Sequence, residues 1–372
     1  MDGDGSQLPA PGGSSAHRHG HAHGHGRVKA LDTLDELDRK IIVALQHDGR
    51  ASWTAIADMV GSSTATVARR GQQLVADGIV RIAVVPALGS SGQVDSFLVR
   101  LNCRPGTQLD VAAALVAHAD VRFLTLVTGQ YDIIAELVVS GGAAHYPTLI
   151  QSLQSIAGIR RWRSDIIMHV YKVRHDWSRQ LFAETMRLPD ALEVEKTSLV
   201  DPEWCEPAHF DDADRRLLAE LRADGRASFQ TVGDRMGMNE SSVRRRFDRL
   251  RSKGCVDILT LVPAAALGMG AETLLLVRVA PDRLQAVAQA LSEYPAVRYL
   301  AAILDDNSLF CEVITPSVAE LNEFISRTLA LLDGVEGWTG AMELLYLKRG
   351  FVETPWWRTQ VGYPAKPDAV DA

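Results

Sequence analysis

A duplicated pattern constrains the fold of this chain more than any other feature of its sequence. The pentapeptide DGRAS stands at 48–52 and again at 224–228. The difference in numbering between the two copies, from Asp48 to Asp224, is called the repeat offset below. It also relates flanking positions, among them Gly61 and Gly237, Val67 and Val243, Arg70 and Arg246, and Trp162 and Trp338. We therefore predict a module of about 140 residues that occurs twice in tandem.

Each copy begins with a pattern typical of a helix-turn-helix domain. From Leu34, apolar residues recur at steps of three and four, as expected for an amphipathic helix, until the sequence DGR interrupts them. A second short helix is predicted from Trp53, and Gly61 marks the turn before a third helix that begins near Ser63. The β-branched residues 79–85 then predict a strand. Three short helices followed by a strand is the order of a winged helix-turn-helix.

The second part of each copy alternates strands and helices. In the first copy, the residue patterns predict strands and helices in the order 96–101, 109–120, 121–127, 131–139, 145–156 and 159–172. The order βαββαβ is that of a ferredoxin-like domain, and it recurs in the second copy. The predicted fold class is therefore α+β, with two repeats of a winged helix-turn-helix domain followed by a ferredoxin-like βαββαβ domain.

These patterns divide the chain into seven segments. Residues 1–30, rich in Gly and His, predict a disordered tail. An acidic, proline-containing linker is expected at 175–208, with at most one short helix near 177–186. The remaining boundaries are 31–86 and 209–263 for the helix-turn-helix domains, 94–174 and 271–350 for the ferredoxin-like domains, and 351–372 for a C-terminal tail.

Composition narrows the range of functions. The net charge of −7 argues against a chain that is basic throughout, but a local basic face is enough for nucleic-acid binding. No apolar run approaches the roughly 18 residues of a membrane span, so we expect no membrane association. The four scattered cysteines form no CxxC pair, which argues against a zinc site built on them and fits a reducing cytoplasm, our expected location.

Alternate histidines in the first segment are the remaining candidate metal ligands. Their imidazoles are able to chelate nickel, copper or zinc, whereas a solvated low-complexity tail would need no metal at all. We favour the solvated tail, because the groups that usually orient metal-binding histidines are absent there, and we predict no metal site and no cofactor. The histidines concerned are His17, His19, His21, His23 and His25.

With these patterns in place, the chain resembles the leucine-responsive regulatory protein/AsnC family of transcription regulators. The resemblance rests on LDELDRKIIVALQHDGRASWTAIADMVGSSTATVARRGQQLVADGIV at 34–80, and on VTGQYDII and GIRRWRSDIIMHVYK in the domain that follows. It covers nearly the whole chain outside the tail and linker, and it occurs twice. In that family the helix-turn-helix domain binds DNA, and the βαββαβ sensor domain pairs with another copy. Most members have one module per chain, so this chain resembles a fused pair.

The third helix of each helix-turn-helix domain is the candidate recognition helix. Residues 239–253 carry six basic and two acidic side chains, a net charge of 6 − 2 = +4, whereas 63–77 carry 2 − 1 = +1. Guanidinium groups bind phosphate oxygens or the edge of guanine, although a surface helix with solvated charges would look the same. We therefore predict that the second domain contributes more phosphate affinity than the first. The predicted DNA contacts are Ser63, Thr64, Thr66, Arg69, Arg70, Asn239, Ser241, Ser242, Arg244, Arg245, Arg246 and Arg249.

The resemblance also implies a small-effector site, usually for an amino acid, near a GxYD turn. The matching residues here are Thr128, Gly129, Tyr131 and Asp132, and the Asp132 carboxylate is suited to receive an α-ammonium group. An ordinary hairpin turn is the alternative, since Gly and Asp are common there. The second sensor domain has DDNS at 305–308 and lacks both the Gly and the Asp of the motif.

We predict a transcription regulator whose partners are double-stranded DNA, a small effector and other copies of itself through the sensor domains. The two halves should pair within one chain, which gives two unlike DNA-reading domains. The main alternative is an enzyme, because siroheme decarboxylases share this architecture. We expect no enzymatic activity, since no histidine lies in the strands at 121–132 or 297–308. Arg122 and Arg298 also look isolated rather than clustered to bind propionates. A third alternative is a regulator that has lost DNA binding.

Overall fold

The computed structural model describes residues 31, 34–91, 94–189, 210–305 and 308–365. Helices α1 to α11 are Glu36–His47, Trp53–Val60, Thr64–Ala76, Gln108–Ala117, Tyr146–Gln154, Asp212–Ala223, Phe229–Met236, Glu240–Ser252, Leu284–Glu293, Val318–Arg327 and Trp357–Gln360. Strands β1 to β11 are Arg81–Pro86, Val94–Cys103, Val121–Val127, Ile133–Ser140, Ile159–Val173, Val256–Leu261, Ala271–Val279, Val297–Ile303, Ser308–Thr315, Val335–Arg349 and Val352–Glu353. The predicted order of elements occurs in both halves.

Each helix-turn-helix domain starts with two aspartates that cap its first helix. In α1, the Asp35 carboxylate accepts a hydrogen bond from the Asp38 N–H at 2.9 Å, and Asp38 accepts one from the Asp35 N–H at 3.3 Å. Asp211 and Asp214 repeat this arrangement on α6. Such reciprocal bonds satisfy N–H groups that the start of a helix leaves without partners, which explains why the helix begins at this point.

A glycine turn separates the second and third helices of each domain. Gly61 and Gly237 follow α2 and α7 with φ angles of 69° and 68°, a left-handed conformation that residues with a Cβ rarely adopt. The third helices, α3 and α8, then start directly after Ser63 and Asn239, whose side chains cap them. Val67 and Val243 point into the domain cores, so the opposite face of each helix is left to solvent.

The strand after each third helix pairs with its counterpart in the other half of the chain. β1 and β6 form a two-stranded antiparallel ribbon with Arg81 opposite Leu261 and Pro86 opposite Val256. The predicted strand is present, but it is not a wing folded back on its own domain. A single strand leaves its backbone groups unpaired, and the equivalent strand of the other half supplies the partner. The ribbon therefore joins the two helix-turn-helix domains.

The two βαββαβ domains have the strand order of a ferredoxin-like fold. Their sheets run β3-β4-β2-β5 and β8-β9-β7-β10, and every pairing within them is antiparallel. Helices α4 and α5 cover the outer face of the first sheet, and α9 and α10 cover that of the second. This confirms the predicted fold class.

The last strand of each domain crosses into the sheet of the other domain. β5 pairs with β2 up to Ile166 and then with β8 from Ile167 onward, while β10 pairs first with β7 and then with β3. The exchange holds the two sheets face to face around one apolar cluster, which confirms that the halves pair within the chain. The cluster contains Leu98, Phe123, Val127, Ile134, Leu274, Tyr299, Ala301, Ile303 and Phe310.

Two segments expected to lie outside the domains pack against them. Trp177, Phe182 and Met186 contact the core of the first helix-turn-helix domain, with a 3-10 helix at Arg179–Phe182. In the expected C-terminal tail, Trp357 is fully buried in the first ferredoxin-like domain, and the Tyr363 hydroxyl donates to the Asp110 carboxylate at 3.0 Å. These aromatic side chains anchor both segments because burial of a large ring is strongly favourable.

The remaining terminal and linker predictions concern residues that the structure leaves out. The histidine-rich segment 1–30, the linker from 190 to 209 and residues 366–372 lie outside the described part of the chain. Within the described part, no helix combines the length and the apolar character needed to cross a membrane.

Candidate nucleic-acid interface and ligand sites

The start of each third helix presents polar side chains to solvent. The Ser63 hydroxyl accepts a hydrogen bond from the Thr66 N–H at 3.2 Å, and Thr64 is exposed beside it. In α8, the Asn239 side-chain oxygen accepts bonds from the Ser242 N–H and the Ser241 hydroxyl, each at 2.8 Å. These caps place short polar groups at the end of a recognition helix that ordinarily meets base edges.

Two predicted DNA contacts are engaged within their own domains. Arg70 lies 2.6 Å from an Asp35 oxygen and 3.0 Å from an Asp38 oxygen, so it ties α3 to the start of α1. Arg246 binds the equivalent aspartates of the second half at the same two distances. The pKa of Asp211 is lowered chiefly by its hydrogen bond with Arg246. Both guanidinium groups therefore stabilise the domain fold, which the wide separation of the partners in the sequence did not indicate.

The remaining arginines of the recognition helices fall into two groups. Arg244 pairs with Glu240 at 2.6 Å, Arg249 pairs with Asp214, and Arg251 pairs with Asp48 of the first half at 3.0 Å. Arg69 and Arg245 are exposed and make no ion pair within the described part of the chain. Arg69 on α3 and Arg245 on α8 are therefore the cations best placed to meet a phosphate or a base.

The repeated pentapeptide forms a contact between the two helix-turn-helix domains. Arg50 in the first copy donates hydrogen bonds to the backbone carbonyls of Gly225 and Ala227 in the second. Arg226 returns two such bonds to the first copy at 2.6 and 2.9 Å, and its guanidinium lies 3.9 Å from the centre of the Trp53 ring. We call this reciprocal contact, made by Arg50 and Arg226, the arginine clasp. It joins the two helix-turn-helix domains alongside the β1–β6 ribbon.

The GQYD turn packs against a strand of the other half. The Thr128 N–H donates to the Met342 carbonyl and the Thr128 hydroxyl accepts from the Met342 N–H, both at 2.9 Å. Gly129 has a φ angle of 92°, and the Asp132 carboxylate accepts the Cys103 N–H at 2.7 Å. The Arg100 guanidinium lies 5.5 Å from the Tyr131 ring. The four predicted residues are thus adjacent, and the interface between the halves shapes their turn.

The equivalent turn in the second half is held by ion pairs. Asp305 binds Arg100 at 2.8 Å and also contacts Arg163, while Arg100 binds Asp165. The repeat offset places Leu276 and Ala341 at the positions equivalent to Arg100 and Asp165, so this cluster has no counterpart at the first turn. The two ends of the paired sheets therefore differ in charge.

Charged residues that look isolated in the sequence lie together in a cavity between the two sheets. Arg122 donates to both oxygens of Glu136, at 2.7 and 2.5 Å. Arg298 and Arg349 both bind Glu312, at distances from 2.7 to 3.1 Å. The expectation that Arg122 and Arg298 do not belong to a cluster is wrong, because the crossing of β10 places Arg349 between strands of both halves.

The surroundings of this cavity shift several pKa values. Burial raises the pKa of Glu312, but the charges of Arg298 and Arg349 outweigh it and lower that pKa to about 2. Burial and the neighbouring arginines lower the pKa of His175 to about 3. Burial and the nearby carboxylates raise the pKa of Glu343. Glu312 is thus held ionised, whereas the neutral forms of His175 and Glu343 are favoured.

Three carboxylates meet beside Arg349. Oxygens of Glu272, Glu312 and Glu343 lie within 4.8 Å of one another, a spacing that would suit a metal ion. Arg298 and Arg349 already neutralise Glu312, and burial raises the pKa of Glu272 as it does that of Glu343. Because the neutral forms of Glu272 and Glu343 are favoured, the cluster carries little of the negative charge that would attract a cation.

The fold and these surfaces define a chain that pairs two helix-turn-helix domains with two domains of the ligand-sensing type. The AsnC-type helix-turn-helix domain matches residues 34–75 and 210–251, and the Lrp/AsnC ligand binding domain matches 96–177 and 272–342. The chain belongs to the Lrp/AsnC family, which confirms the resemblance drawn from the sequence.

Relatives with a single module match one half of the chain at a time. The HTH-type transcriptional regulator FL11 of Pyrococcus furiosus is 28% identical over 147 residues, which cover 39% of this chain and 96% of that protein. The HTH-type transcriptional regulator LrpA of Pyrococcus horikoshii is 29% identical over 127 residues, which cover 34% of this chain and 90% of that one.

Solved structures of one enzyme match both halves together. The siroheme decarboxylase NirDL superimposes with a TM-score of 0.54 over 87% of this chain and 98% of that chain, at 14% sequence identity. At that identity the likeness concerns the fold alone. It shows that two modules arranged in this way occur in an enzyme.

Proposed function

We propose that this protein is a sequence-specific DNA-binding transcription regulator that reads DNA with α3 and α8. The observation that carries the proposal is the pair of recognition helices, each with an exposed polar start and an arginine outside any described ion pair, Arg69 or Arg245. Arginine and short polar side chains at this end of a recognition helix are suited to phosphate and base contacts. We expect the protein to act in the cytoplasm.

The proposed effector is a small molecule of the amino acid class, bound at the GQYD turn. One oxygen of the Asp132 carboxylate receives the Cys103 N–H, which orients the group and leaves the other oxygen available for an α-ammonium group. The positive φ of Gly129 lets the backbone approach a ligand closely. We do not extend this site to the second turn, because Asp305 is committed to two arginines.

Association of further copies through the sensor domains is also a proposal. Met168 on β5 and Leu344 on β10 are related by the repeat offset, and their side chains are 50% and 65% exposed. Exposed apolar groups at equivalent positions favour a contact with another copy.

The regulator interpretation is favoured over the decarboxylase interpretation by the size of the arginine cavity. Its volume of about 40 Å³ is far below that of a tetrapyrrole site, since pockets for large organic ligands occupy several hundred Å³. Arg122, Arg298 and Arg349 also share two carboxylates, Glu136 and Glu312, so their excess positive charge is too small for several propionates.

The decisive experiment is a binding selection of the full chain against random duplex DNA, with the affinity followed across salt concentration. We expect one enriched site made of two unlike half-sites, because the two recognition helices differ in sequence. Each of Arg69→Ala and Arg245→Ala should reduce the slope of log affinity against log salt by about 1 if the lost contact is to phosphate. Arg215→Ala, which removes an exposed arginine of α6, is the matched control and should leave the slope unchanged.

Failure to enrich any fragment at low salt would contradict the proposal. An enriched set that consists only of perfect palindromes would contradict the unlike half-sites. The same measurement with a mixture of amino acids tests the effector site, since any change in DNA affinity should disappear in Asp132→Asn and persist in the control Asp305→Asn.

A further inference from the structure

The arginine cavity lies between the two sensor sheets, and none of the GQYD residues lines it. Its walls combine basic, acidic and aromatic groups from both halves of the chain. The lining residues include Arg122, His175, Arg298, Tyr299, Glu312 and Arg349. The paired sheets enclose these groups, so each polar atom there needs a partner or a ligand.

Several hydrogen-bond donors that face this cavity have no acceptor within the described part of the chain. The Tyr299 hydroxyl is enclosed, with the residue only 7% exposed, and its O–H donates no hydrogen bond within the described part of the chain. The Arg349 Nε is enclosed and likewise unbonded there. Arg298 donates through only one of its nitrogens, to Glu312. Buried donors of this kind destabilise the folded chain when nothing accepts from them.

The charges around the cavity leave it electropositive. Four arginines line the cavity. Arg122, Arg298 and Arg349 are paired with two carboxylates, Glu136 and Glu312, and Arg174 lies 3.5 Å from Asp176. The remaining acids near Arg349 are Glu272 and Glu343, and burial raises the pKa of both, which favours their neutral forms. An acceptor that enters the cavity therefore gains most if it carries a negative charge.

The site is single although the protein is duplicated. Arg122 and Arg298 are equivalent by the repeat offset, as are Glu136 and Glu312, but the counterpart of Arg349 is Val173. Arg349 therefore makes the cavity asymmetric. Two arginines lie beside Glu312, whereas one lies beside Glu136. The volume of about 40 Å³ is enough for about three water molecules, or for a ligand of three or four non-hydrogen atoms.

We propose that this cavity binds one small oxyanion of the carboxylate class, of the size of formate or bicarbonate, which accepts hydrogen bonds from Tyr299, Arg298 and Arg349. The site goes beyond the proposed function, since it neither includes the GQYD turn nor depends on DNA binding. Its ligand contacts both sheets, so binding stabilises the pairing of the two halves.

The position of Arg349 connects the cavity to the helix-turn-helix domains. Gly350 follows directly, and a Cβ placed on it would lie 2.1 Å from a methyl of Leu259 on the β6 ribbon strand. The next residue, Phe351, offers its carbonyl to Arg222 on α6. A ligand on Arg349 therefore lies two residues from a contact with the second DNA-reading domain.

Thermal unfolding of the full chain in sodium formate and in sodium chloride of equal ionic strength tests the proposal. Formate should raise the unfolding midpoint by about 2 °C or more relative to chloride. Tyr299→Phe removes one donor and keeps the ring, so it should abolish the difference. Tyr171→Phe, whose hydroxyl bonds Gln285 outside the cavity, is the control and should retain it.

Equal midpoints in the two salts would overturn the proposal, and so would a full formate effect in Tyr299→Phe. Should that variant fail to fold, carbon-13 formate with the unmodified chain decides the matter. Line broadening that nitrate reverses supports the site, and sharp lines at every protein concentration overturn it. None of these outcomes depends on DNA, so they leave the proposed function to its own test.

Discussion

At the scale of residues, the two modules carry side chains of different size at two contacting positions, and the differences compensate each other. In the first half, Gly71 on α3 lies against the Trp53 ring, and a Cβ on Gly71 would come within 2.4 Å of the ring. The equivalent positions in the second half are Phe229 and Phe247, whose ring centres are 5.3 Å apart. One large ring and a glycine occupy the space that two smaller rings occupy in the second half. The glycine inside α3 is therefore required by packing.

Gly71→Ala should destabilise the protein although alanine favours helix formation. Helix propensity alone predicts a gain of about 1 kcal/mol. The clash with the Trp53 ring should outweigh it, because overpacking typically costs about 1–3 kcal/mol. Urea unfolding would measure the net loss, and adding Trp53→Phe should restore most of it. A more stable Gly71→Ala variant would contradict this interpretation of the contact.

The carboxylates beside Arg349 should respond oppositely to substitution. Since burial raises the pKa of Glu343, folding resists its ionisation, and stability falls as the pH rises above the ordinary pKa of 4.5. Glu343→Gln should thus raise the free energy of unfolding at pH 7.5 by on the order of 1 kcal/mol, and less at pH 5.

Glu312→Gln is the matched comparison for Glu343→Gln. The pKa of Glu312 is lowered to about 2, so its contribution to stability is present above pH 4.5 and is lost as the pH falls toward 2. Its substitution should cost about 3–5 kcal/mol at pH 7.5, because two buried arginines lose their partner. Unfolding midpoints of both variants at pH 5 and 7.5 provide the check, and destabilisation by Glu343→Gln at both values would refute the assignment.

At the scale of elements, we expect the arginine clasp to control the spacing between the two recognition helices. Arg50→Gln removes bonds to the carbonyls of Gly225 and Ala227 and leaves those partly buried acceptors without their donor. The helix-turn-helix domains should then move more freely, and the spacing between enriched half-sites should broaden by one or more base pairs. Arg215→Gln, far from the clasp, is the control. If Arg50→Gln keeps the half-site spacing of the unmodified chain, the β1–β6 ribbon alone fixes the relative position of the domains.

Local sequence was sufficient for most elements, because caps, glycine turns and apolar periodicity act over a few residues. Local sequence does not show which elements pair with each other. Residues 81–86 favour an extended strand, but nothing local says that the partner is 256–261 rather than a wing. Trp357 was assigned to a tail because one buried tryptophan creates no periodic pattern.

The same distinction applies to the sites. Those made of neighbouring residues are predictable from the sequence, and the one made of distant residues is not. The caps of the recognition helices and the GQYD turn are short motifs, and the sequence predicted their positions. The cavity was missed because Arg349 and Arg122 belong to different modules, far apart in the sequence, and only the crossing of β10 brings them together. Matched charges within apolar strands, Arg122 with Arg298 and Glu136 with Glu312, were the available signal.

At the scale of the whole molecule, the two halves complete each other's structure. Each sensor sheet contains part of a strand that began in the other domain, and the ribbon is made of one strand from each half. Neither module is therefore a self-contained unit. The halves nevertheless differ at the turns, the recognition helices and the cavity, which suits a molecule that contacts an asymmetric partner.

The exchange of β5 and β10 within one chain has a consequence for how such a protein responds to its own abundance. Two separate chains obey mass action, so at high dilution they part, and the functional species declines with the square of the subunit concentration. Here the covalent connection makes encounter of the halves intramolecular and keeps their effective concentration constant. A cell with very few copies retains the same proportion of assembled pairs as a cell with many.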